Sequence, residues 1–147
     1  MVRCKFDFFP EYLAAVAVPQ YQKTVRKSRF VQMTTAIKSI FDAQEIYHLE
    51  NGKYATTFEE LGLDLGKIDP NNSKYIWMGK TNCALDDASR FTCNFGYNSL
   101  LVQNWYDPKR QQCCVYIYDN FAGEELCQEL KNKKTWADYC GGGCHCY

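Results

Sequence analysis

The chain has 147 residues, about the length of one domain. Its 17 Lys and Arg balance 17 Asp and Glu, so it lacks the basic excess that a protein coating nucleic acid needs. A hydrophobic share of 46% against 23% charged excludes intrinsic disorder, and nine cysteines point to an oxidising compartment.

Met1–Tyr12 (MVRCKFDFFPEY) is predicted to be an atypical N-terminal segment. Arg3, Lys5, Asp7 and Glu11 interrupt its apolar residues, and Pro10 lies near its end. The longest unbroken apolar run, Leu13–Val18, has only six residues. A membrane-spanning helix needs about 20 and a signal-peptide core about 7–15. The cysteines therefore imply export, while the start of the chain offers no recognisable export signal.

Leu13–Glu50 is predicted to be one long helix. Met33, Ile37, Ile40, Phe41 and Tyr47 recur on a single face, with Gln44 as a polar interruption and Phe30 extending the stripe. At about 1.5 Å per residue such a helix spans roughly 57 Å, more than a compact domain of this size needs, so its first part is expected to project or to find a partner. Pro19 predicts a bend or a frayed turn. Asn51-Gly52 supplies the C-cap, because both residues tolerate the left-handed conformation.

Residues 51–73 form a loop. Within it Thr57 is expected to cap a short helical turn, with Glu60 three residues later completing a capping box. Gly62 and Gly66 break the loop up, and Asp69-Pro70-Asn71-Asn72 is a turn cluster.

Residues 74–118 carry strand chemistry. Lys74–Lys80, Arg90–Tyr97 and Cys113–Tyr118 are aromatic or β-branched and alternate in polarity, and Leu100–Tyr106 adds part of a further strand. Short turns between them predict an antiparallel meander. Residues 119–147 hold a short helix over Gly123–Lys134, acidic first and basic last, and a cysteine-rich tail. The expected fold class is α+β, with a long N-terminal helix packed on a small antiparallel sheet and a disulfide-rich C-terminal region. A single domain spans 13–147.

Cys4 stands apart in the first segment. The other eight, Cys83, Cys93, Cys113, Cys114, Cys127, Cys140, Cys144 and Cys146, cluster in the sheet and tail. Disulfides are expected there, since bridges offset the small core of a meander. Adjacent Cys113 and Cys114 point to opposite strand faces and should have different partners. A zinc site built from Cys140, Cys144, His145 and Cys146 is disfavoured, because three consecutive ligands do not readily converge on one ion. No metal or other cofactor is expected.

Chemistry has little purchase elsewhere. His48 reads as a helix-end residue, and His145 lies among tail cysteines, with no spacing that selects a Cys–His nucleophile pair. Nucleophile-elbow, P-loop and dinucleotide motifs are absent from the sequence. Glu59, Glu60 and Asp64 are too few for a calcium loop and read as solvated surface. Lys23, Arg26, Lys27 and Arg29 crowd one stretch of the helix with no acid between them. They suit anionic headgroups, acids on a neighbouring subunit, or solvent.

Two blocks carry a family resemblance. Leu13–Gln22 (LAAVAVPQYQ) resembles the lower half of the N-terminal helix of type IV pilins and type II secretion pseudopilins, with Ala17-Val18-Pro19-Gln20-Tyr21-Gln22 matching the family's A-x-P-x-Y-Q. Ala43–Leu63 resembles that family's helix exit, through Tyr47, Asn51-Gly52, Tyr54, Phe58 and Leu61 in order. The resemblance is specific over residues 13–64 and architectural beyond them. It implies a pilin-like fold and a non-enzymatic structural subunit that contacts other copies or other pilin and pseudopilin subunits through Leu13, Val16, Pro19 and Tyr21. It also implies inner-membrane assembly machinery as a partner, and an inner-membrane and then surface or periplasmic filament location. No small-molecule substrate follows from it.

Met1–Tyr12 departs from the family, whose processing signal is a Gly, then Phe, then a Glu four residues later, followed by a long apolar run. The chain as written is therefore expected to be soluble, uncut by prepilin peptidase and unable to enter filaments alone. The alternative is a secreted disulfide-rich binding module, which should bury the upper helix that a filament subunit exposes.

Overall fold

The computed structural model describes residues 3–95, 100–115, 127 and 137–138, with side chains from Gln20 onward except those of 115, 137 and 138. Helix α1 runs from Arg3 to Asn51, 49 residues, or roughly 74 Å. It begins within the stretch expected to be a separate segment, and it crosses Pro10 and Pro19 without a break in the helical run. The turn at Pro19 is not frayed, because a proline removes one hydrogen bond of the ladder while the neighbouring bonds persist.

The helix ends where Asn51-Gly52 predicts. Gly52 has φ 71, its N–H donates to His48 O at 2.8 Å, and Asn51 Nδ2 donates to Tyr47 O at 3.0 Å. These bonds occupy carbonyls that the last turn leaves without helical partners. Helix α2, Phe58–Leu61, has the expected capping box. Glu60 N donates to the Thr57 hydroxyl at 3.4 Å, and Glu60 Oε2 accepts from Thr57 N at 3.2 Å and from Thr56 N at 2.9 Å. The bond from the Thr56 backbone leads in holding the Glu60 carboxyl below the usual range.

Seven strands lie side by side in sequence order: β1 Lys67–Ile68, β2 Tyr75–Met78, β3 Thr81–Leu85, β4 Arg90–Phe95, β5 Leu100–Trp105, β6 Arg110–Val115 and β7 Ala137–Asp138. The first six pair antiparallel, as a meander requires, and β7 joins β6 in parallel. Strand β3 was not expected. The strand expected over Lys74–Lys80 is β2, Tyr75–Met78, and its last two residues are a hairpin turn instead, in which Met78 pairs with Thr81 across Gly79-Lys80 and Gly79 takes φ 67. Gly66 permits the edge to close, since a Cβ there would stand 2.2 Å from Trp77 O. The β6 strand begins three residues before Cys113, at Arg110.

The core lies between α1 and one sheet face. Phe30 meets Phe95 edge-on at 6.2 Å and Phe41 meets Phe91 at 5.0 Å, so the helix runs along β4 in the opposite direction. Met33, Ile37, Ile40 and Phe41 are buried against Ile76, Leu85, Leu100 and Val102. Tyr47, placed in the core by its spacing, is only half-buried, because the buried helix face ends near Gln44. The short helix expected over Gly123–Lys134 lies outside the described residues except for Cys127, and the tail from Cys140 lies wholly outside them.

Candidate functional site

Two features distinguish this domain: the division of α1 into a lower part packed on the sheet and a stretch above it, residues 20–29, in which no side chain is buried, and the fastening of the sheet. Of residues 20–29 none is buried, and Tyr21 is 70% exposed. The buried face begins abruptly at Phe30. Of the helix contacts implied by the resemblance, Tyr21 is thus at the surface. Leu13, Val16 and Pro19 lie within α1, and their side chains are outside the described residues. Lys23, Lys27 and Arg29 are exposed and Arg26 is half-buried, so the basic stretch lies directly above the sheet-packed part of the helix.

The lower end of the helix is tied to the loop and the sheet by a residue that the apolar pattern presents as an interruption. Gln44 is fully buried. Its Nε2 donates to Ala55 O at 3.0 Å and to the Tyr106 hydroxyl at 2.9 Å, and its Oε1 accepts from Ala55 N at 2.8 Å. Beside it Lys109 pairs with Glu45 and places its ammonium 5.5 Å from the centre of the Phe41 ring. His48 stacks on Tyr54 at 4.4 Å, Tyr54 on Tyr106 at 4.4 Å, and Tyr106 on Phe91 at 5.7 Å. Burial pushes the Tyr106 phenol well above its usual range, so it stays neutral and keeps its hydroxyl proton. The one available signal for this clamp was Gln44 itself, a polar side chain interrupting the helix stripe of Met33, Ile37, Ile40 and Phe41.

The cysteines fasten the sheet. Cys83 and Cys93 face each other in register across β3 and β4 and form a disulfide with Cα atoms 4.0 Å apart. Cys113 is bonded to Cys127, and Cys114 is disulfide-bonded as well, so the two adjacent cysteines have different partners, as opposite strand faces require. Cys83, Cys93 and Cys127 have no solvent exposure. Cys140, Cys144 and Cys146 lie outside the described residues. Among the described residues no group of His, Cys, Asp and Glu could hold a metal ion. The cysteines of the sheet are present as disulfides, not as thiols that His48 could activate.

Glu59, Glu60 and Asp64 are exposed, and Glu60 serves the capping box. The turn between β3 and β4 is closed by Asp87, whose Oδ1 accepts from Ser89 N at 2.7 Å and from the Ser89 hydroxyl at 2.6 Å. The hydroxyl bond leads in depressing the Asp87 carboxyl. Among the described residues no helix is long and apolar enough to cross a membrane. Comparison with protein-family models, with curated proteins and with solved structures finds no match.

Proposed function

We propose that this chain is a non-enzymatic structural subunit of a type IV pilus or type II secretion pseudopilus, with a pilin-like fold, assembling through α1 with copies of itself or with related subunits. The observation that carries this reading is the division of α1. One continuous helix packs its lower part on an antiparallel meander, and residues 20–29 above that packing carry no buried side chain. The family-like blocks fall at corresponding places, Ala17–Gln22 in the upper part and Asn51-Gly52 at the helix exit. Disulfides within the sheet suit a subunit that works outside the reducing cytosol.

The test compares two forms in cells that carry prepilin peptidase and a filament system. One is the sequence as it stands. In the other, Met1–Tyr12 is replaced by a Gly-Phe-x-x-x-Glu start and an apolar run of about 20 residues. The second form should be cleaved, membrane-bound and recovered in sheared filaments, and the first should not. A processed, membrane-bound second form that never enters filaments would overturn the proposal. The other reading, a disulfide-rich binding module, has Tyr75 and Trp77 in its favour. They are 37% and 43% exposed side by side on the outer face of β2, and partners anchor well on such aromatic pairs.

A further inference from the structure

The outer face of the sheet, turned away from α1, carries two aromatic rings near its β1 edge. Tyr75 and Trp77 alternate along β2 with the buried Ile76 and Met78, and both reach solvent. Two positions apart on one strand, they stand about 7 Å from each other. Directly opposite residues share a face, so the register extends each ring across the sheet. Trp77 lies beside Asn82 and then Asn94, and Tyr75 beside Ala84, Thr92 and then Gln103. Ala84 and Thr92 are short and buried, so they form a floor between the longer Tyr75 and Gln103. Asn82, Asn94 and Gln103 are half-buried, and their side-chain amides make no hydrogen bond within the described residues. The Asn82 Oδ1 atom is also shut off from solvent, a condition that costs stability until a donor reaches it. On the core face, by contrast, Gln44 uses both ends of its amide.

We infer that this face binds a single neutral glycan chain, with pyranose rings lying over Trp77 and Tyr75 and their hydroxyls on Asn82, Asn94 and Gln103. A pyranose has an apolar C–H face and a rim of hydroxyls that both donate and accept. An exposed indole or phenol ring covers the apolar face. A primary amide offers a donor and an acceptor together, which matches the rim. Aromatic walls with a few polar groups are the usual composition of such sites. The charges select a neutral chain. Lys67 stands opposite Trp77, and Asp69 follows two residues on, its N–H bonded to Tyr75 O at 3.0 Å. The rings are thus flanked by one charge of each sign, whereas an acidic chain such as single-stranded nucleic acid wants a basic groove beside its stacking platform. An apolar peptide segment would cover the amides and leave them without partners. The inference names a ligand for the aromatic pair and holds whether or not the chain enters filaments.

The test titrates the nitrogen-labelled full chain, followed by NMR, with cellohexaose, maltohexaose, chitohexaose and mannohexaose. Oligogalacturonate and single-stranded oligothymidine serve as acidic probes. At least one neutral hexamer should shift the Trp77 indole N–H and the side-chain amide signals of Asn82, Asn94 and Gln103, with a Kd of about 1 mM or tighter. The affinity should be the same in about 0.01 M and about 1 M salt, since no ion pair is involved. Trp77→Ala should weaken binding at least about tenfold, the scale of losing one stacked ring. Trp77→Tyr keeps a ring and should stay within about threefold of the parent. Should Trp77→Ala not fold, Asn94→Ala at a half-buried position without bonds reads the rim instead, and it too should weaken binding about tenfold. No shift of these signals by any neutral hexamer at about 10 mM would overturn the inference. Neutral-sugar binding that survives both Trp77→Ala and Asn94→Ala, or binding by the acidic probes alone that vanishes in about 1 M salt, would overturn it equally.

Discussion

Gln44 and Tyr106, 62 positions apart in the chain, meet at 2.9 Å through the amide Nε2 and the phenol oxygen. The same amide holds both backbone polar groups of Ala55, so one side chain joins the helix, the loop and the sheet. Replacing Gln44 with Leu keeps the volume but strands Ala55 N–H, Ala55 C=O and the Tyr106 hydroxyl. At roughly 1–3 kcal/mol per stranded buried group, with some relaxation, the expected loss is about 2–4 kcal/mol. Tyr106→Phe removes one partner and should cost about 1 kcal/mol. Urea unfolding of both variants and the double variant measures the coupling, and additive losses would show that the clamp does not act as a unit.

Ile37 is 2% exposed in the face that α1 presents to the sheet. Ile37→Asp places a carboxylate there with no partner, and the domain should fail to fold at neutral pH. Circular dichroism and the urea midpoint read this directly. A variant as stable as the parent would mean that the helix does not bury this face.

The disulfides should be intact in protein prepared from an oxidising compartment. Alkylation without reductant, followed by mass spectrometry, should leave Cys83, Cys93, Cys113, Cys114 and Cys127 unmodified. The Cys113–Cys127 bridge joins residues 14 apart, and a loop of that size corresponds to about 3 kcal/mol of unfolded-state restriction. Cys113→Ser/Cys127→Ser should therefore lower stability by about that amount. Five alkylated cysteines in the untreated protein would contradict the assignment.

Tyr106 links stability to alkaline pH. Burial raises its phenol above the ordinary value near 10.0, so the folded state holds the proton that the unfolded chain releases first. Its contribution is complete below pH about 10 and is lost as pH rises from there toward the folded value. The parent should lose stability above pH 10 more steeply than Tyr106→Phe, measured as urea midpoints across that range. Parallel curves would show that Tyr106 is not protected from ionisation.

Features set by residues within about four positions of one another were legible in the sequence. The C-cap at Asn51-Gly52 and the capping box at Thr57 and Glu60 need only local backbone geometry, and the stripe Met33, Ile37, Ile40 and Phe41 follows from the helical period. Strand chemistry around Phe91–Phe95 and the opposite faces of Cys113 and Cys114 follow from the strand period. Tertiary structure decided the rest. Whether Gly79-Lys80 continues a strand or turns it depends on whether β3 pairs back on β2, and Cys83 finds Cys93 only because the β3–β4 register brings them opposite each other. Gln44 looks like a flaw in an apolar stripe until Ala55 and Tyr106 close around it. Sequence spacing reports which face a side chain occupies, but only the folded chain brings distant partners to that face, and a buried polar group is tolerable only with them.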